Sequence, residues 1–212
     1  MRLRKIKNAD QIIKESDKVV SDPFSYRGKW QDAFSNNQEI HLEIGMGKGN
    51  FIIESAIKNP SINYIGLERE STIVVKALNK LEEKEIPNLI FIHADADNLQ
   101  AIFSEAEIAV IYLNFSDPWP KNKHIKRRLT YDYKLKIYYD LLIDDGKIYM
   151  KTDNRKFFQY SLINFTYNRY KIVDLSLNLH QDYNNIITTE YEDRFRKLGK
   201  AIYYIEVEKW KE

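Results

Sequence analysis

Four acidic residues between positions 43 and 117 each stand where a short apolar run ends. They are Glu43, Glu68, Asp95 and Asp117. If the runs are parallel strands, the four carboxylates lie along one edge of a sheet, where open α/β sheets bind their ligands. A single acidic residue at a strand end is usually a turn residue or a helix cap. Four in the same pattern predict a ligand site.

A glycine-rich turn follows the first run, with Gly45, Gly47 and Gly49 at alternate positions. Glycine lets the backbone come close to a ligand. The turn departs from the dinucleotide-binding pattern, because Asn50 stands where that pattern has Gly or Ala. The Glu43 carboxylate would repel a phosphate and attract the amino group of a cationic cofactor.

S-adenosylmethionine is a cofactor of that kind, cationic and free of phosphate. Glu68 is placed to bind its ribose hydroxyls, and Asp95 to accept a hydrogen bond from its adenine amino group. The sequence therefore predicts an S-adenosylmethionine site at the ends of the first three strands.

The fourth acidic residue opens the rigid loop Asp117-Pro118-Trp119-Pro120. An acid followed by an aromatic ring suits a planar nitrogenous acceptor, since the ring stacks and the carboxylate accepts from base N–H groups. A basic stretch follows at once, with Lys121, Lys123, His124, Lys126, Arg127 and Arg128. A charge run is often only a solvated face, but beside a ligand site it predicts contacts with nucleic-acid phosphates.

The elements that must position these residues alternate between apolar runs and segments of helical periodicity, which is typical of βαβ units on a parallel sheet. The chain is therefore predicted to be α/β and doubly wound. Strands are expected at 40–44, 62–68, 89–93, 108–114, 147–151, 170–179 and 201–207. Helices are expected at 51–57, 74–81 with a continuation into the acidic run at 82–85, 99–103, 131–143 and 157–165. The polar segment 180–200 is expected to be a substrate-facing insertion.

Composition narrows the classes of function. The chain has 212 residues, a net charge of +2, no cysteine and four dispersed histidines. Disulfides and cysteine nucleophiles are excluded, and a metal site is not expected. No apolar run is long enough for a membrane helix, and the start does not resemble a secretory signal, so a cytoplasmic protein is predicted. Residues 1–37 are interpreted as a basic and aromatic extension, and residues 38–212 as the main domain.

Five motifs together resemble the bacterial tRNA (guanine-N7)-methyltransferase family. They are EIGMGKG at 43–49, YLNFSDPWPK at 112–121, KRRL at 126–129, KTDN at 151–154 and TEYE at 189–192. The resemblance covers roughly residues 38 to 208. It implies a class I S-adenosylmethionine-dependent methyltransferase, Rossmann-like, with a mostly parallel seven-stranded sheet whose last strand is antiparallel. The implied substrate is the variable-loop guanosine of tRNA, position 46.

The resemblance also implies roles for individual residues. Glu43, Gly45, Gly47, Glu68, Asp95 and Asp117 look like cofactor contacts, and Asp117 also looks like the catalytic residue. The implied substrate contacts are Lys121, Asp153, Thr189, Glu190, Tyr191 and Glu192, and residues 123–128 form an RNA-contacting region. Lys123 replaces the arginine common in the family, which keeps the charge but loses bidentate geometry.

Two other functions stay open at this point. One is an amino-group methyltransferase acting on adenine or cytosine, because a strand-end Asp-Pro followed by an aromatic residue resembles the motif of those enzymes. The other is a non-catalytic RNA-binding protein on the same fold. Both a monomer and a homodimer are compatible with the sequence.

Overall fold

A computed structural model describes residues 5–81 and 85–210. The described residues form a mixed seven-stranded sheet with the order β3-β2-β1-β4-β5-β7-β6. The strands are β1 Ile40–Ile44, β2 Asn63–Glu68, β3 Leu89–His93, β4 Ile108–Asn114, β5 Leu142–Thr152, β6 Tyr170–Ser176 and β7 Tyr203–Lys209. The chain divides into two compact units, Met1–Phe103 and Ser104–Glu212.

The first unit contains three parallel strands, with β1 paired to β2 and β2 paired to β3. All five residues of β1 are buried, as expected for a parallel strand covered on both faces. The helices are α1 Ala9–Glu15, α2 Trp30–Phe34, α3 Asn50–Lys58, α4 Ser71–Leu78 and α5 Leu99–Ile102. The parallel arrangement predicted for this half of the chain is confirmed.

Residues 19 and 30, in the N-terminal segment, pack against the rest of the first unit. The Trp30 side chain is fully buried, and its indole N–H donates to the backbone carbonyl of Ile102 at 2.9 Å. Val19 forms a parallel bridge with Phe91 of β3. Loss of a fully buried tryptophan side chain typically costs about 3–5 kcal/mol, so this segment contributes to the stability of the unit.

The second unit contains β4 and β5, which are parallel, and β7, which is antiparallel to both β5 and β6. The expected antiparallel last strand is therefore confirmed. The helices are α6 Asp132–Leu141, α7 Arg155–Tyr167, α8 Leu179–Asp182 and α9 Glu190–Lys197. The Asn154 side chain caps α7 by accepting from the Phe157 N–H at 3.0 Å. The predicted insertion at 180–200 contains most of α8 and all of α9.

Several predicted bounds differ from the structure. Strand β5 begins at Leu142 rather than Lys147, because Leu142 pairs with Ile108 and Lys147 with Val110, and the residues between bulge out. The residues Asp144-Asp145-Gly146 in this bulge are of types typical of a turn, and Asp145 adopts a left-handed φ of 61°. Helix α4 ends at Leu78 instead of continuing to residue 81, and the rest of its predicted extension, at 82–84, lies outside the described residues.

In the parts of the chain that the structure describes, no helix is long and apolar enough to cross a membrane.

Candidate active site

The glycine turn joins β1 to α3 and depends on left-handed backbone angles. Gly45, Gly47 and Gly49 have φ values of 76°, 58° and 77°. The N–H groups of Gly45 and Met46 both donate to the Leu67 carbonyl, at 2.8 and 3.1 Å, which anchors the turn to the end of β2. A Cβ atom added at Gly45 or Gly47 would meet no atom within 4 Å. The backbone therefore faces open space at these two positions.

Glu43 lies on β1, two residues before the first glycine, and is 1% exposed. Burial of an ionised carboxylate is costly unless a cation or hydrogen-bond donors lie close to it. The structure thus places a buried carboxyl group close to the open glycine turn.

Glu68, at the end of β2, holds the glycine turn in place. Its Oε2 accepts from the Gly47 N–H at 3.1 Å, and its Oε1 accepts from the N–H groups of Arg69 and Glu70 at 2.9 and 3.1 Å. Burial raises the pKa of Glu68, and the backbone hydrogen bonds partly oppose that shift. A carboxylate has about four acceptor positions, so a ribose hydroxyl would have to bind on the Oε2 side.

Asp95 follows β3 and caps the short 3-10 helix Ala96–Asn98. Its Oδ1 accepts from the Asp97 N–H at 2.9 Å, and its Oδ2 lies 3.9 Å from Arg69 Nη1. The ordinary capping function and the predicted ligand function are compatible, because the Asp95 side chain is 46% exposed. Glu43, Glu68 and Asp95 thus lie at or just beyond the carboxyl ends of three parallel strands of the first unit.

The loop after β4, in the second unit, carries Asp117 as an exposed residue. Phe115 and Trp119 adopt left-handed φ values of 52° and 38°. The Arg128 guanidinium holds this loop, donating from Nε to the Pro118 carbonyl at 2.8 Å and from Nη2 to the Trp119 carbonyl at 3.1 Å. Sequence reasoning missed Arg128 as the residue that holds this loop.

The basic stretch forms the 3-10 helix Asn122–Arg127. His124 stacks on the Trp119 ring at 5.6 Å, and the Arg127 guanidinium lies 4.9 Å from the same ring. Exposed cations in this stretch are Lys121, Lys123, Lys126 and Arg127. Arg128 differs, because its guanidinium is half-buried and stacks on Tyr160 at 4.2 Å.

Tyr191 is a predicted substrate contact whose ring packs against two other aromatic rings. Its ring lies 5.2 Å from Phe115 and 4.4 Å from Phe195, and its side chain is 46% exposed. Burial raises the pKa of Tyr191, and the charges of Asp153 and Asp117 raise it further. The second unit therefore places an exposed aromatic ring near both carboxylates.

Thr189 and Glu192 form a capping box at the start of α9. Thr189 Oγ1 accepts from the Glu192 N–H at 3.0 Å, and Glu192 Oε2 accepts from the Thr189 N–H at 3.3 Å. Glu190 is half-buried, whereas Glu192 has no exposed surface. The two glutamates of the TEYE motif therefore lie in different environments.

Residues 5–81 and 85–210 contain no group of three or more His, Asp or Glu side chains arranged to hold a metal ion.

Residues 37–205 match a family model described as "Putative methyltransferase". The tRNA (guanine-N(7)-)-methyltransferase of Bacillus cytotoxicus is 47% identical over 97% of this chain and 96% of its own length. That of Brevibacillus brevis is 44% identical over 97% of each chain. This chain belongs to the tRNA (guanine-N(7)-)-methyltransferase family.

Solved structures agree on the fold of this methyltransferase. The 16S rRNA (adenine(1408)-N(1))-methyltransferase of Catenulisporales acidiphilia, determined with its cosubstrate SAM, matches with a TM-score of 0.63. The match covers 91% of this chain and 93% of that one at 12% identity, a level that shows the fold alone. The predicted class I methyltransferase fold is confirmed.

Sequence reasoning about this methyltransferase missed two residues that contact the TEYE motif. Lys151 Nζ lies 3.2 Å from Glu192 Oε2, and His180 Nε2 lies 2.8 Å from Glu192 Oε1. The capping-box pattern Thr-x-x-Glu predicts that Glu192 folds back onto the helix start, but it does not indicate contacts with Lys151 or His180.

Proposed function

We propose that this protein transfers a methyl group from S-adenosylmethionine to N7 of a guanosine in tRNA, giving 7-methylguanosine, and that the target is the variable-loop guanosine, position 46. The observation that carries the reaction is the near-full-length similarity to proteins named tRNA (guanine-N(7)-)-methyltransferase, at 44–47% identity. The position within tRNA rests on the resemblance of the motifs. We place the reaction in the cytoplasm.

The first unit fits S-adenosylmethionine. Gly45 and Gly47 leave open space in front of the backbone, and the buried Glu43 carboxylate complements a positively charged amino group. In this proposal Glu68 binds the ribose hydroxyls and Asp95 the adenine. When bound, the cofactor supplies an electrophilic methyl group on a sulfonium sulfur.

The protein's residues act mainly by positioning and by charge. Guanine N7 carries a free lone pair, so no proton has to be removed and no strong general base is needed. The base becomes cationic on methylation, and a carboxylate nearby stabilises that charge. Asp117 is the proposed catalytic residue, and Asp153 is proposed to accept from the guanine N1–H and exocyclic amine together, a pattern that adenine does not offer.

The second unit supplies the proposed RNA contacts. The exposed cations Lys121, Lys123, Lys126 and Arg127 suit phosphate groups, which give affinity without base choice. His124 and Arg127 are ordered against Trp119, and Arg128 contributes by fixing the loop that contains Asp117. Thr189, Glu190 and Tyr191 complete the substrate side.

The test is methyl transfer from labelled S-adenosylmethionine to two unmodified tRNA transcripts, one with guanosine at position 46 and one with adenosine there. Nucleoside analysis is expected to show 7-methylguanosine from the first transcript alone. Equal labelling of both transcripts would overturn the proposed position, and label in a base other than guanine would overturn the reaction. No label on any tRNA, with cofactor binding intact, would also overturn it.

A further inference from the structure

Two neighbouring residues of the TEYE motif differ sharply in exposure. Tyr191 is 46% exposed, whereas Glu192 is 0% exposed. Consecutive residues of a helix point about 100° apart, so both side chains cannot face the same ligand. A substrate base that contacts Tyr191 therefore has no access to Glu192 in this arrangement.

Every contact of the Glu192 carboxylate described above is internal. Oε2 lies 3.2 Å from Lys151 Nζ and accepts from the Thr189 N–H at 3.3 Å, and Oε1 lies 2.8 Å from His180 Nε2. The carboxylate thus joins three separate parts of the chain: the end of β5, helix α8 and the start of α9. In this position the Glu192 carboxylate stabilises the packing of β5, α8 and α9 and does not contact a bound ligand.

Lys151 is the basic partner of Glu192. Its side chain is 6% exposed, and its Nζ also donates to the Ile187 carbonyl at 2.8 Å. One ammonium group on β5 therefore contacts the segment 187–192 near both of its ends. Removing either partner of a buried ion pair is destabilising, because the charge of the remaining partner loses its compensation.

We propose that Glu192 is a positioning residue and not a guanine contact. With Lys151 and His180 it forms a cluster, which we call the anchor cluster, that fixes the start of α9 to the end of β5. This fixing positions the exposed Tyr191 ring, which contacts Phe115 and Phe195 and interacts electrostatically with Asp117 and Asp153. Tyr191 is then the platform on which the target base stacks.

Lys200 contacts both the Phe195 ring and the Asp153 carboxylate. Lys200 Nζ lies 4.4 Å from the Phe195 ring centre and 3.7 Å from Asp153 Oδ2. Stacking of a base on an aromatic side chain suits a nucleotide that has been taken out of its own stack. This assignment rests on the proposed function, because it presumes a base as the ligand.

The test compares Lys151→Met, Glu192→Gln and the double variant in the full-length protein. Each single variant removes one partner of the buried Lys151–Glu192 ion pair, and we expect the KM for tRNA to rise at least tenfold. The double variant removes both charges, while the amide oxygen of the introduced glutamine still accepts from the Thr189 N–H. Its KM is therefore expected to return to within about threefold of wild type. The affinity for S-adenosylmethionine should stay unchanged in all three.

A direct guanine contact predicts a different pattern. If Glu192 binds the base, the double variant will be at least as impaired as Glu192→Gln, and that result would overturn the proposal. Asp132→Asn with Lys136→Met is the matched control, since it removes an exposed acid–lysine pair at 2.9 Å on α6. It is expected to behave as wild type.

Limited trypsin digestion gives a readout that does not depend on activity. Cleavage after Arg194, Arg196 and Lys197 should be faster in both single variants than in wild type, and slow again in the double variant. Unchanged cleavage in the single variants would overturn the anchor cluster. If wild-type protein methylates no tRNA but the cleavage pattern appears as expected, the proposed function fails and the anchor cluster stands.

Discussion

Replacing Gly47 with alanine tests whether the glycine turn binds the cofactor. Gly47 has a φ of 58°, a left-handed angle that costs a residue with a Cβ about 1–2 kcal/mol. The new methyl group would meet no protein atom within 4 Å, so no internal clash adds to that cost. It would instead occupy the open space in which we place S-adenosylmethionine.

Two effects of different size follow from this geometry. The free energy of unfolding is expected to fall by only about 1 kcal/mol, because the alanine also lowers the entropy of the unfolded chain. The affinity for S-adenosylmethionine is expected to fall at least tenfold, or by about 1.4 kcal/mol, since the methyl group displaces the ligand from the backbone.

Gly199→Ala is the matched control. Gly199 has a φ of 70°, and an added Cβ there also meets nothing within 4 Å, but it lies in the segment after α9. Urea unfolding should show similar losses for the two variants, and calorimetric titration with S-adenosylmethionine should show weakened binding for Gly47→Ala alone. Unchanged cofactor affinity in Gly47→Ala, with the expected loss of stability, would refute the assignment of the turn.

Three further predictions concern other parts of the molecule. Burial lowers the pKa of His41 to about 4, so between pH 6.5 and pH 4 the unfolded chain binds a proton at this residue and the folded chain does not. Lowering the pH from 7 to 5 should therefore reduce the free energy of unfolding by about 2 kcal/mol. Urea titrations should show this loss in the control variant His124→Gln but not in His41→Gln. Arg128→Lys removes bonds to two loop carbonyls and should lower the free energy of unfolding by about 1–2 kcal/mol, while Arg127→Lys should change it little, and equal losses would contradict the role given to Arg128. Asp117→Asn should slow single-turnover methyl transfer at least tenfold with little change in cofactor affinity; wild-type rates with collapsed affinity would show Asp117 to be a cofactor contact only.

Local sequence patterns were sufficient to predict the bounds of several strands. The bounds of β1, β3 and β4 agree with those predicted from the sequence, because each is an apolar run closed by polar or turn-forming residues. The start of β5 was not predictable in this way. Its first pair joins Leu142 to Ile108, a partner far away in the sequence. The residues between Leu142 and Lys147 form a bulge within the strand instead of preceding it.

In the candidate site, too, features set by neighbouring residues were predictable and those set by distant residues were not. The glycine turn and the strand-end acids are local, and the structure places Glu43, Glu68 and Asp95 as their spacing predicts. Membership of Asp117 in the same site stays a prediction. The burial of Glu192 depends on Lys151, which is 41 positions away, and no periodicity in the sequence connects the two.

The bridge between Val19 and Phe91 has a consequence for solubility. Strand β3 is an edge of the sheet, and its Phe91 N–H donates to the Lys18 carbonyl at 2.8 Å while its carbonyl accepts from the Val20 N–H at 3.0 Å. Exposed strand edges pair readily with other chains and promote aggregation. Residues 18–20 occupy these hydrogen-bonding groups, so the N-terminal segment protects the apolar β3 from pairing with a second molecule.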